Sequence, residues 1–141
     1  MSEDVPAYVK AHTTGRWAET MFRALSRRVA ERWEFVSFRG KGKGEWRGVV
    51  DLVAIRKDTS QPRSPKLKRG DLFEIILVQV KGGTARSPTP EDCIRLREVA
   101  RRYAAREVVL FEWKKGVSWR FLVLNRRTLR WEETTGELVF A

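Results

Sequence analysis

Three polar residues interrupt two runs otherwise dominated by Val, Ile and Leu. Asp51 stands inside Gly48-Val49-Val50-Asp51-Leu52-Val53-Ala54-Ile55, while Gln79 and Lys81 close Leu72-Phe73-Glu74-Ile75-Ile76-Leu77-Val78-Gln79-Val80-Lys81. Both runs have the composition of buried strands. A carboxylate, an amide and an ammonium are costly there unless they face one another, a metal or water. Side chains alternate along a strand, so Gln79 and Lys81 share a face. That pattern asks for a site rather than a core.

The elements that must position these groups follow from periodicity and punctuation. Residues 15–33 suit a helix, with Ala18, Met21, Phe22, Leu25, Val29 and Trp33 on one stripe at helical spacing. Glu34 to Phe38 suits a short strand, and the loop Arg39-Gly40-Lys41-Gly42-Lys43-Gly44 leads into the Asp51 strand. A basic connector from Lys57 to Gly70, with Pro62 and Pro65, precedes the Gln79 strand. Thr89-Pro90-Glu91-Asp92 is a helix start, with a cap, a proline in the first turn and acids at the positive dipole end. That helix is expected to run to about Ala105, with Cys93, Leu96, Ala100 and Ala104 on its inner stripe. Glu107–Trp113 and Ser118–Leu124 suit further strands, and Leu129–Phe140 a terminal hairpin turning near Thr135-Gly136. The order is α-β-β-β-α-β with β additions: an α/β fold with a central mixed sheet flanked by helices. Residues 1–141 read as one domain, with a core of about 15–115 and a C-terminal β extension of about 116–141.

Composition bounds the class. Apolar residues make up 42% and charged residues 33% of 141, the balance of a folded, soluble domain. No apolar stretch reaches the roughly 18 residues of a membrane span. The N-terminus lacks a signal-peptide pattern, and a single cysteine, Cys93, excludes an internal disulfide. These point to a cytoplasmic protein that does not enter membranes. Twenty-nine Lys plus Arg against 18 Asp plus Glu leave a formal charge of +11, an attraction for polyanions and first of all nucleic acid.

Asp51 followed by Gln79-x-Lys81 on the next strand, with a helix before and after, resembles the PD-(D/E)xK (restriction-endonuclease-like) nuclease superfamily. The glutamine variant looks like the Mrr-type endonucleases, and archaeal-type Holliday junction resolvases are a similar comparison. The resemblance covers about residues 15–115. It implies an αβββαβ restriction-endonuclease-like core and phosphodiester hydrolysis assisted by Mg²⁺ or Mn²⁺, hard cations that favour oxygen ligands. It implies Asp51 as the anchoring ligand, with Gln79 and the Val80 carbonyl as further ligands, and Lys81 holding the attacking water or phosphate oxygens. Glutamine brings no charge, so an acid on the first helix is the expected supplement. Glu19 lies beside the apolar stripe and is the better candidate, whereas Glu31 points away.

Other candidates are weaker. Glu74 has the opposite strand parity from Gln79, Asp71 lies too far back, and His12 has no nearby partner. The expected nucleic-acid surface comprises Lys41, Lys43 and Arg47 around the glycine-lysine loop, Lys66, Lys68 and Arg69 in the connector, and Arg95, Arg102 and Arg106 on the outer face of the second helix. Trp46 beside the loop suits packing better than base stacking. The function implied is a metal-dependent DNA endonuclease, structure-selective and working as a homodimer, because little chain is left for a sequence-reading domain. The alternatives are an inactive nuclease-fold binding module or a partner-dependent subunit, and charge does not separate DNA from RNA.

Overall fold

The long apolar run around Gln79 becomes the middle of a sheet. The computed structural model describes residues 20, 22–23, 27, 32–38, 48–82, 87–113 and 119–141. The strands are β1 (Glu34–Ser37), β2 (Leu52–Lys57), β3 (Phe73–Gly82), β4 (Glu107–Trp113), β5 (Trp119–Asn125) and β6 (Arg130–Thr134). They form one six-stranded sheet in sequential order. β3 and β4 are parallel and every other pair is antiparallel. A parallel pair needs a crossover, and helix α1 (Pro90–Arg102) supplies it. The protein is therefore α/β with a mixed sheet and few helices.

Alternation divides the sheet into two apolar faces. Leu52, Ala54, Ile76, Val78, Val80, Val109, Phe111 and Phe121 point to one, where they meet Phe22, Trp33, Val139 and Phe140. Phe22 sits at the centre of this aromatic face, with ring centroids 5.3 Å from Phe35 and 5.6 Å from Phe111. The Trp33 indole N–H donates to the Phe140 carbonyl at 3.1 Å. On the opposite face Leu77, Val108 and Leu124 pack against Cys93, Leu96 and Ala100 of α1. Of the predicted first helix, Thr20, Phe22 and Arg23 are described and helical, with Phe22 buried as its stripe requires.

α1 starts where its residues dictate. The Thr89 hydroxyl accepts from the Asp92 N–H and the Asp92 carboxylate accepts from the Thr89 N–H, each at 3.1 Å. Its end differs from expectation. The helix stops at Arg102, and Ala104 is exposed at φ 49° rather than part of the inner stripe. The chain must reverse to enter β4, and the Ala105 N–H closes that turn on the Ala100 carbonyl at 2.8 Å.

The C-terminal region also differs in detail. The hairpin is β5–β6, and it turns over residues 126–129, not near Thr135-Gly136. Asn125 organises this turn, its Oδ1 accepting the N–H groups of Arg127 and Thr128 at 3.0 and 3.1 Å. Thr135 caps a short helix, α2 (Gly136–Val139), by accepting the Leu138 N–H. A threonine-glycine pair that looks like a turn is here a helix start. Among the described residues no helix is long and apolar enough to cross a membrane.

Candidate metal and nucleic-acid site

Gln79 and Lys81 lie on one face near the end of β3, and Asp51 immediately precedes β2 at the same end of the sheet. β2 and β3 pair from Leu52 and Val78 onward, and just before that ladder the Asp51 N–H donates to the Val78 carbonyl at 2.9 Å. Val78 and Val80 point into the aromatic face, which turns Gln79 and Lys81 toward the α1 face. Neighbouring strands are about 4.8 Å apart and residues two apart on a strand about 6.6 Å, which sets the scale of the spacing between these backbone positions.

Each head has a distinct environment. β3 runs past the start of β2, and the Asp51 carboxylate occupies that gap, its Oδ2 accepting the Val80 N–H at 2.7 Å. Asp51 thereby stands against the Val80 backbone, the position the resemblance assigns as a further ligand. Gln79 is only 5% exposed, and its Oε1 has no hydrogen-bond partner among the described residues. Val50, Val53, Ile75, Leu77 and Val99 line an apolar groove on the same face, together with Phe38 and Tyr103. Lys81, half-buried, has no ion pair among the described residues. A carboxylate, an amide oxygen and a backbone carbonyl are hard donors of the kind Mg²⁺ and Mn²⁺ accept. No group of three His, Cys, Asp or Glu side chains gathers among the described residues, so this donor set carries a single carboxylate. Glu19, His12 and Glu31 lie outside the described residues.

The next row of the same face holds two residues that strand patterning alone had not singled out. Lys81 pairs with Glu112 on β4, and Glu112 with Arg120 on β5. Glu112 is buried at 4% exposure. Its Oε1 accepts from Arg120 Nε at 2.7 Å and lies 2.7 Å from Nη2, and its Oε2 accepts from the Ser87 hydroxyl at 3.1 Å. The signal was present: Glu112 sits between Phe111 and Trp113, and the burial cost that draws attention to Asp51 applies equally to it.

Among the described residues the expected basic surface is dispersed. Arg106 lies beyond α1, not on its outer face; it pairs with Glu74 at 3.8 Å and donates to the Ala141 carbonyl oxygen. Arg102 shares Glu98 with Arg101, and those two guanidinium groups hold the Glu98 carboxyl down at about 2. Arg95 lies 3.7 Å from Asp92. Lys66, Lys68 and Arg69 are exposed in the β2–β3 connector, at the opposite end of β3 from Lys81. That separation is about 30 Å along an extended strand. Lys41, Lys43, Arg47 and Trp46 lie outside the described residues. Glu74 faces away from Gln79 as its parity requires, bound to Arg56 at 2.6 Å. Cys93 is buried against Leu96 and Ala100, and burial pushes its thiol up. No protein-family model, curated protein or solved structure matches this chain.

Proposed function

We propose that this protein is a metal-dependent DNA endonuclease whose site is Asp51, Gln79, the Val80 carbonyl and Lys81. One observation carries the reading: the buried Gln79 amide oxygen has no partner among the described residues, and the Asp51 carboxylate binds the N–H of the next residue, Val80. A buried acceptor without a donor costs about 1–3 kcal/mol, and a bound cation would remove that cost. A Mg²⁺ or Mn²⁺ ion held there would supply an acidified water and neutralise charge at phosphorus. Lys81, with no carboxylate partner among the described residues, is available to hold a phosphate oxygen or orient the attacking water. The restriction-endonuclease-like core, the homodimer and the preference for branched DNA belong to the same proposal. They rest on the resemblance.

The test is cleavage of linear, nicked, single-stranded and four-way DNA with Mg²⁺, Mn²⁺ or EDTA. Asp51→Asn keeps an acceptor for the Val80 N–H while removing charge, so it is expected to fold and lose cleavage by 100-fold or more; Lys81→Ala should do the same. Variants that cut like the parent would refute the assignment.

A second reading, a binding module without activity, is favoured by one feature: Asp51 Oδ2 already serves the backbone of β3. Calorimetry separates the two. DNA binding with no heat from Mg²⁺ or Mn²⁺ supports the module.

A further inference from the structure

We propose that Arg120 is a phosphate-binding residue of this site, clamped by buried Glu112 so that it grips the backbone phosphate next to the one facing Lys81. The proposal deepens the nucleic-acid reading above and rests on it. Lys81, Glu112 and Arg120 form one in-register row across β3, β4 and β5. Lys81 and Arg120 are therefore two strand spacings apart, about 10 Å, and their long side chains can reach successive phosphates of one strand.

The clamp fixes the arginine. Nε and Nη2 both meet Glu112 Oε1 at 2.7 Å, which occupies one edge of the guanidinium. Nη1 has no partner among the described residues, and the Arg120 side chain remains 48% exposed. A guanidinium held by one edge offers its remaining donors in a fixed plane, the geometry that recognises phosphate oxygens. Ser87 completes the support by binding the other Glu112 oxygen at 3.1 Å. The start of α1 close by has its Thr89 and Asp92 N–H groups bound within its own cap.

Removing Arg120 alone would strand a buried carboxylate, so the comparison uses Glu112→Gln against Glu112→Gln/Arg120→Gln. Binding of a fluorescent duplex is followed by anisotropy across a KCl series in EDTA, where neither metal nor cleavage contributes. Glu112→Gln keeps the cation and should keep the parent's salt slope. The double variant should lose affinity by 3- to 10-fold and reduce the slope of log K against log[KCl] by about 1. Arg120→Lys, which retains both charges but not the fork, should lower affinity with the slope unchanged. Equal slopes for the two glutamine variants, an Arg120→Lys affinity equal to the parent's, or a parent that binds no DNA would overturn the proposal. Loss of metal-dependent cleavage with these binding results intact would count against the nuclease reading alone.

Discussion

At the scale of single residues, Gln79 is the most exposed to test, because its burial is unfavourable unless something binds it. Replacing it by Leu removes the unsatisfied oxygen and keeps the volume close. Gln79→Leu is expected to stabilise the metal-free protein by about 1–3 kcal/mol in urea titrations. The parent should gain thermal stability on adding Mn²⁺, as any ligand of the native state must provide, and the variant should lose that gain. A destabilised Gln79→Leu would mean that the amide is satisfied in solution by the protein itself. The face shared by Gln79 and Lys81 was legible from strand alternation, since period-two patterning needs no tertiary information. The Glu112–Arg120 pair was not. It depends on which residues of β4 and β5 stand opposite, and that register is set by the hairpin between them.

At the scale of elements, α1 shows both what local chemistry decides and where it stops. Its start follows from the reciprocal Thr89–Asp92 cap, a local pattern visible in the sequence. Its end follows from the demand that the chain re-enter the sheet as β4, which no local pattern states. Ala104 bears that cost at φ 49°, a conformation that favours glycine. Ala104→Gly is expected to raise stability by about 0.5–1 kcal/mol, measured as a higher urea midpoint at unchanged slope. The helix also carries a pH signature. Arg101 and Arg102 lower the Glu98 carboxyl from the ordinary 4.5 to about 2. The ionised form is thus favoured in the folded state, and its contribution is complete above pH 4.5 and lost as pH falls toward 2. Glu98→Gln should therefore show a small deficit in Tm at neutral pH that closes through this acidic window. A deficit independent of pH would assign the effect to packing.

At the scale of the whole molecule, the formal charge is +11, and the basic groups among the described residues are spread rather than gathered. Lys66, Lys68 and Arg69 lie at one end of β3 and Lys81 at the other, while several arginines of α1 are paired with acids of the same helix. Net charge therefore reports a general attraction for polyanions, and the grip at the site must come from a few placed groups. The layered packing can be followed through Cys93, buried at 3% exposure with its thiol raised chiefly by desolvation. The folded protein should react with a disulfide reagent only at the rate of its own opening, and urea should accelerate the reaction in step with unfolding. Fast labelling at zero denaturant would show that α1 separates readily from the sheet.

The ten residues of β3 join two unlike neighbourhoods. The connector enters at one extremity, where Asp58 N–H meets the Leu72 carbonyl, and the polar heads emerge at the other. Lengthening that connector, even by a purification tag, alters nothing downstream, because the ladder resets the phase at Lys57 and Phe73. A single residue inserted between Val78 and Gln79 would be a different matter. It would rotate the glutamine and lysine by half a turn into the phenylalanine cluster, silencing the chemistry while leaving the amino-acid content almost untouched.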